Sequence, residues 1–534
     1  MLPASQEVAQ VSGIDSPTSR QIIDALQRRT ADRLREMSDV AVFEYIADAI
    51  YMERRRLQTE RDDDTPAYER SLEAAAQASH KGRPAQERAI LDLVAVYSRE
   101  IHNRFSDRAY SLATRVLPGA LTRLLTAAQQ PTQLIGADFD PASRIEVQGP
   151  VEQLKALAQT HTLVLTPTHL SNLDSPLIGY ALYKVGLPPC IYGAGLNLFS
   201  NPAMSFFMSR LGAYTVDRRK KLRLYKDVLK DYSTEAIGRG AHSLFFPGGT
   251  RSRDGTLETE LKKGLLGTAI TAWQDGLESE RSHPEILVVP CTLSFALVLE
   301  AETLIEDALA AAGKARYIIS DDEFSEARTV ASFARRVLNL DASTYVRFGR
   351  PLDLLGNPVD DKGRSLSPAG EPIERQAYVT SREGVVIRDA QRDRVYTARL
   401  SRQISAAYFR DNIALSTHVA SFAAWNLLSA RYPRLDVFQR VLLGREDRWL
   451  ARNALLRAIG AIAGGIERLR QDGRIQSALP GGPEAILTDA LKRFGGYHKV
   501  PALSASGDRI LVGPKLALYY SNRLVGYNLE EELL

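Results

Sequence analysis

Apolar positions recur at steps of three and four through the first part of the chain. "SRQIIDALQRRTADRLREM" (19–37) and "ERAILDLVAVYSREIHNRF" (87–105) show the pattern, with charged residues between the apolar ones. That spacing predicts amphipathic helices, so residues 1–140 read as a helical N-terminal region. "TERDDDTPAYER" and "SHKGRPAQER" interrupt it and predict exposed connections.

Near residue 144 the texture changes. Short apolar or β-branched runs follow one another: "RIEVQ", "TLVLTP", "CIYGA", "AYTVD", "SLFFP", "ILVVPCTL" and "TYVRFG". Between most of them lie segments of helical length such as "KKLRLYKDVLKDYSTEAIGRG". The alternation predicts an α/β domain over 141–355, with a central, mostly parallel sheet flanked by helices. The Pro/Gly/Asp-rich stretch "GNPVDDKGRSLSPAGEP" predicts a loop or boundary. Helical periodicity returns from about residue 400, so 356–534 read as a mainly helical C-terminal region. No internal repeat is evident.

Composition narrows the partners. The 534 residues are 44% hydrophobic and 25% charged, with a formal charge of +4. That balance is ordinary for a globular protein and too weakly basic to point to nucleic acid. The two cysteines, Cys190 and Cys291, sit in apolar surroundings without CxxC or Cys/His spacing. Neither a disulfide framework nor a structural zinc site is expected, and a reducing compartment is. "MLPASQEVAQVSG" lacks the pattern of a signal peptide, and no apolar run approaches the ~18 residues of a membrane span. The expected location is the cytoplasm or the cytoplasmic face of a membrane, with any contact peripheral.

The candidate chemistry begins in "LVLTPTHLSNLDSPLIGYAL" (163–182), where His169 precedes Asp174 by five residues. Spacing alone proves nothing, because His102 and Asp107 share it within a charged helical pattern that reads as a solvated face. His169, however, follows a buried strand closed by Pro167, and ligands bind beyond the carboxyl ends of such strands. Ser171 or Asn172 is a candidate cap for the next helix, with Asp174 in its first turn. An aspartate there can fix the imidazole tautomer, leaving the other ring nitrogen to take a proton from an attacking hydroxyl. From these residues alone, catalysis and helix capping both stay open.

Three further segments follow. "RLGAYTVDRRKKLRLYK" gathers Arg218, Arg219, Lys220, Lys221 and Arg223 after a strand, either as a solvated face or as a phosphate site. "SLFFPGGTRSRDG" runs a strand into Gly248, Gly249, Thr250, Arg251, Ser252 and Arg253, either a tight turn or an anion site. It lacks the spacing of a nucleotide P-loop. "ILVVPCTLSFALVLE" reads as a core strand broken by Pro290.

Taken in order, "HLSNLD", "GAYTVDR", "PGGTRSR" and "VVP" resemble the four motifs of the glycerolipid acyltransferase superfamily. "YALYKVGLPPCIYGAGLNLFSNPAMSFFMSRLGAY", "FSDRAYSLATRVLPGALTRLL" and "YVRFGRPLDL" are similar to the bacterial membrane-associated glycerol-3-phosphate and dihydroxyacetone-phosphate acyltransferases. The resemblance implies His169 as base and Asp174 as its orienting partner. It assigns Gly212, Arg218, Gly249, Arg251 and Ser252 to the acceptor and Pro290 to the acyl-donor side. Arg253 joins Arg218 and Arg251 as an expected phosphate ligand, and the Gly248–Gly249 turn is the expected source of oxyanion N–H groups. One position departs: the family usually has glutamate where this chain has Gly248.

The activity implied is transfer of a fatty acyl group from acyl-CoA or acyl-carrier protein to the sn-1 hydroxyl of glycerol 3-phosphate, in phospholipid biosynthesis. The thioester is a substrate, and neither metal nor cofactor is expected. The missing glutamate keeps other acceptors open, lysophosphatidate or dihydroxyacetone phosphate, and also a lipid-binding relative without catalysis. In "FSDRAYSLATRVLPGALTRLL", Arg108, Arg115 and Arg123 recur beside Leu112, Val116 and Leu124. A basic amphipathic helix at a membrane surface and a helix packed on the domain are equal alternatives there.

Overall fold

The computed structural model describes residues 19–60, 65–102, 145–195, 212–279, 285–312, 344–495, 498 and 500–533. The periodic N-terminal segments form α1 (Ser19–Arg35), α2 (Asp39–Leu57), α3 (Thr65–Ser79) and α4 (Arg83–Ile101). Ser38 caps α2 by accepting the N–H of Ala41, and Gly82 followed by Pro84 opens α4. Their apolar stripes pack on the α/β region: Leu26, Ile46, Leu93 and Tyr97 share one cluster with Tyr214, Leu224, Tyr225 and Val228. His102 ends α4 half-buried and edge-on to Tyr232, so it does not lie on the solvated face expected for it. Asp107 and the segment "FSDRAYSLATRVLPGALTRLL" lie outside the described residues.

All seven anticipated strands form: β1 (Ile145–Gln148), β2 (His161–Pro167), β3 (Ile191–Gly195), β4 (Ala213–Val216), β5 (Ser243–Leu244), β6 (Glu285–Phe295) and β7 (Thr344–Phe348). They make one sheet in the order β1-β7-β6-β2-β5-β3-β4. Five strands run parallel; β7 pairs antiparallel with β6, and β1 pairs parallel with β7. The strand at the centre, β2, is buried from Thr162 to Pro167, as a strand covered on both faces must be. Leu163 and Leu165 meet Leu154 of α5 (Val151–Ala158) and Leu182 of α6 (Asp174–Val185) around a small apolar cavity. Thr162 points the other way and donates to the carbonyl of Ile237 in α7 (Arg223–Gly238), which packs on α8 (Lys263–Glu278). The mostly parallel α/β layering expected from the sequence is therefore present.

Pro290 does not break β6, which continues through it. A proline lacks an N–H, and here the missing donor falls on the edge where β6 exchanges one partner, Leu352, for another, β7. The Pro290 carbonyl on that edge accepts the N–H of Gly349 at 2.7 Å.

After β6 comes α9 (Ala301–Ala312). The C-terminal region forms α10 (Ala390–Asp411), α11 (Ser416–Arg431), α12 (Arg452–Gln471), α13 (Pro483–Phe494) and α14 (Pro514–Ser521). One hydrophobic cluster runs without a break from Leu287 and Val289 of the sheet to Leu400, Tyr408, Val419 and Leu516 of these helices. Tyr408 donates its hydroxyl to the carbonyl of Thr166 at 2.8 Å, next to the last residue of β2. Among the described residues, no helix is long and apolar enough to cross a membrane.

The Pro/Gly/Asp-rich connection does contain a repeat, contrary to expectation. Asp353, Asp360 and Ser367 each begin a turn, seven residues apart, and Ser381 begins a fourth after one skipped unit. In each turn the first residue's N–H donates to the carbonyl four residues on, at 2.9, 3.0, 2.7 and 2.8 Å. Gly356, Gly363, Gly370 and Gly384 take the left-handed conformation that closes them, with φ of 82°, 78°, 84° and 80°. Asp353 and Asp360 accept from the N–H groups of Asn357 and Arg364. The repeat escapes notice because its side chains vary and only the opening Asp/Ser and the glycine recur. It crosses the sheet edge opposite the site: a Cβ on Gly363 would stand 2.2 Å from His161, the first residue of β2.

Candidate active site

β2 delivers His169 to the carboxyl edge of the sheet, and β6 fixes the root of its loop. Thr168 donates its N–H to the Cys291 carbonyl at 2.9 Å, and its hydroxyl accepts the N–H of Leu293 at 3.0 Å. The backbone of His169 is held on both sides: its N–H donates to Glu258 Oε1 at 2.8 Å, and its carbonyl accepts the N–H of Ser252 at 2.7 Å. The imidazole stacks on Phe246, with centroids 4.1 Å apart, and remains 14% exposed.

Asp174 is fully buried in the first turn of α6, where the helix dipole favours a carboxylate. Its Oδ2 lies 2.8 Å from His169 Nδ1 and accepts the N–H groups of Leu170 at 2.6 Å and Ser171 at 2.9 Å. A carboxylate facing Nδ1 places the proton there and leaves the lone pair of Nε2 as the base. Neither Ser171 nor Asn172 caps α6; the cap position is Leu173. The Ser171 hydroxyl is instead committed to Glu300 Oε2 at 2.8 Å, and the Asn172 N–H to Glu300 Oε1 at 3.0 Å.

The "PGGTRSR" turn packs against this loop. Arg251 Nη1 lies 3.2 Å from Glu300 Oε1, which ties the arginine to the far side of the histidine loop. Ser252 turns its hydroxyl to Asp254 and to the carbonyl of Thr256, so its part in the site is played by its backbone. Of the two N–H groups expected to face an oxyanion, that of Gly249 is engaged in closing the turn, on the carbonyl of Phe246 at 3.0 Å. Thr250 and Arg253 are exposed and Gly248 is half-buried.

Two acids and a lysine escaped the sequence reading. Glu300 is buried, which pushes its carboxyl above the usual range against the opposing bonds from Asn172 and Ser171. Burial likewise pushes the Glu258 carboxyl up, opposed by the His169 N–H and the Arg523 charge. Lys262 lies over the turn: a Cβ on Gly249, whose φ is 78°, would sit 2.5 Å from its Nζ. Glu300 had one signal, a charge ending the apolar run "LSFALVLE"; Glu258 and Lys262 had none beyond their nearness to the motif.

The basic cluster after β4 divides. Arg219 is held by Asp217 at 2.9 Å and by Glu60 at 3.3 Å. Burial raises the Asp217 carboxyl, but the bonds from Arg219 outweigh it and hold it below the usual range. Lys220 pairs with Glu100 within 5.1–5.4 Å of the rings of Tyr68, Tyr97 and Tyr225. Arg218 and Lys221 are exposed at the carboxyl edge of the sheet. Gly212 lies at the opposite end of β4, with φ of 100°, where a Cβ would meet the Cys190 carbonyl at 2.9 Å. Pro290 is buried in β6 beside Thr166.

Against known proteins, residues 145–294 match the family model described as Acyltransferase. That segment carries an acyltransferase domain. The chain is 33% identical over 211 residues to the glycerol-3-phosphate acyltransferase of Haemophilus ducreyi, covering 39% of this chain and 24% of that one. The protein of the same name from Histophilus somni is 33% identical over 255 residues, covering 46% and 29%. The matches thus span less than a third of the length of these curated relatives. The crystal structure of the 1-acyl-sn-glycerophosphate acyltransferase of Thermotoga maritima is 17% identical, with a TM-score of 0.25 over 52% of this chain and 80% of that one. The acyltransferase domain carries the His169–Asp174 pair, the Arg251 turn and Pro290 within its matched span.

Proposed function

We propose that this chain transfers a fatty acyl group from a thioester to the sn-1 hydroxyl of glycerol 3-phosphate. The observation that carries the reading is the His169–Asp174 contact of 2.8 Å, with Asp174 buried and the imidazole partly open to solvent. His169 Nε2 removes the hydroxyl proton as the oxygen attacks the thioester carbonyl, and Asp174 stabilises the imidazolium. The tetrahedral intermediate collapses, the C–S bond breaks, and the thiolate takes the proton back from His169. No cofactor enters that series of steps.

Charge and the relatives' name support this acceptor. Arg218, Arg251, Arg253 and Lys262 offer cations along the carboxyl edge for a phosphate, which converts an encounter into a positioned reaction. The donor is acyl-CoA or acyl-carrier protein, and the amphiphilic product places the reaction at the cytoplasmic face of a membrane.

The test is transfer from palmitoyl-CoA to radiolabelled glycerol 3-phosphate by wild type and His169→Ala. Transfer that the substitution abolishes supports the reading. Activity only with lysophosphatidate or dihydroxyacetone phosphate replaces the acceptor. Full activity in His169→Ala removes the mechanism, and silence with every acceptor and donor leaves a lipid-binding relative.

A further inference from the structure

A Cβ built on Gly248 would stand 3.1 Å from Glu258 Cγ and 3.2 Å from its Oε1, the oxygen that accepts the His169 N–H. We propose that Glu258 positions His169 from the space that a side chain at 248 would otherwise fill; the proposal rests on the acyl-transfer reading above.

Space and backbone both argue for it. A Cβ at 248 would press on Glu258 beside the histidine loop closely enough that the glutamate must yield by a few tenths of an ångström. Gly248 is not among the glycines with positive φ, whereas its neighbour Gly249 is. Its backbone would accept an L side chain, and the Glu258 side chain is what stands in the way.

Glu258 is fixed where it is. Leu257 and Leu261 are buried, which anchors the segment between them to the core. Ser405 of α10 donates its hydroxyl to the Glu258 carbonyl at 3.0 Å. Oε1 accepts the N–H of His169, setting the backbone from which the imidazole reaches Asp174. Oε2 is buried and has no hydrogen-bond partner among the described residues. A histidine displaced by about 1 Å loses the geometry on which proton transfer depends.

The test moves the carboxylate to the other side of the turn. Wild type, Glu258→Ala, Gly248→Glu and the double variant are compared for turnover, for KM of the thioester, and for hydrogen exchange of the 168–172 amides. Glu258→Ala is expected to lower kcat at least tenfold, with KM changed less than threefold, and to speed exchange at the His169 amide tenfold. Gly248→Glu alone also loses turnover, because two carboxylates contest one space. The double variant recovers kcat and protection to within threefold of wild type. Wild-type values in Glu258→Ala, or a double variant as slow as Glu258→Ala, overturn the proposal. If wild type transfers no acyl group, the functional reading fails, and exchange alone decides this one: restored protection in the double variant upholds it, and persistent loss overturns it.

Discussion

Arg251 Nη1 stands 3.2 Å from Glu300 Oε1, the same oxygen that accepts the N–H of Asn172. One buried acid thus joins the motif that carries the arginine to the loop that carries the base. Glu300→Ala is expected to remove one partner each from Arg251, the Ser171 hydroxyl and the Asn172 N–H, costing about 1–3 kcal/mol. Glu300→Gln, which keeps an acceptor but no charge, should be milder. Urea unfolding of both variants checks the order, and a higher KM for the phosphorylated acceptor in each checks the link to Arg251.

The histidine–aspartate pair sets the scale of catalysis. His169→Ala is expected to lower kcat about 10²–10⁴-fold, the usual worth of a positioned general base. Asp174→Asn should fall in the same range, because an amide can hold the ring in its wrong tautomer. Equal kcat in Asp174→Asn and wild type would show that the buried carboxylate only stabilises the loop.

Stability should fall in weak acid through His242. Its Nδ1 accepts the N–H of Leu163 at 3.0 Å, and burial pushes its pKa down to about 4. The unfolded chain binds the proton near pH 6.5 and the folded one does not, so stability is lost as pH falls from about 6.5 toward 4. The loss from this group is about 3 kcal/mol on that scale. His242→Asn keeps an acceptor without the titration, so its unfolding free energy should change less between about pH 7 and pH 4.5 than that of wild type.

Gly249 and Lys262 should be coupled. Gly249→Ala meets two penalties, a φ of 78° and a Cβ 2.5 Å from the lysine Nζ. The first costs about 1 kcal/mol or more and survives in any background. The second disappears when Lys262→Ala removes the side chain. A double-mutant cycle by thermal unfolding is expected to return a non-zero interaction energy, and strict additivity would place the lysine elsewhere in solution.

Much of the site was legible because strand, loop and helix start follow one another in sequence. Pro167, His169 and Asp174 report their own geometry within eight residues. The seven strands were legible for a similar reason: they are short apolar or β-branched runs, most of them set apart by segments of helical length. Glu258 and Glu300 were not, since a lone acid carries no periodic signal and reaches the histidine loop only once the sheet has closed. The cluster after β4 misled for a related cause. Its cations look alike in sequence, yet the N-terminal helices and the residues beside them supply Glu60 and Glu100 to two of them. The turn repeat was hidden by the opposite effect, a fixed backbone carrying varied side chains.

The C-terminal helices reach the site by contacts that are distant along the chain. The N–H of Val298 donates to the Tyr520 hydroxyl, Asn522 donates to the Asp254 carbonyl, and Arg523 donates to Asn412 and to the carbonyl of Leu293. Each of these bonds closes a loop of over a hundred residues, and most close more than two hundred. Such closures cost chain entropy before any contact rewards them, so they form late and slowly. The sheet can assemble during synthesis while the histidine loop still lacks its backing. Acyl transfer should therefore return after the sheet's circular dichroism signal when the denatured protein is refolded, with a lag that marks the arrival of residues 514–524.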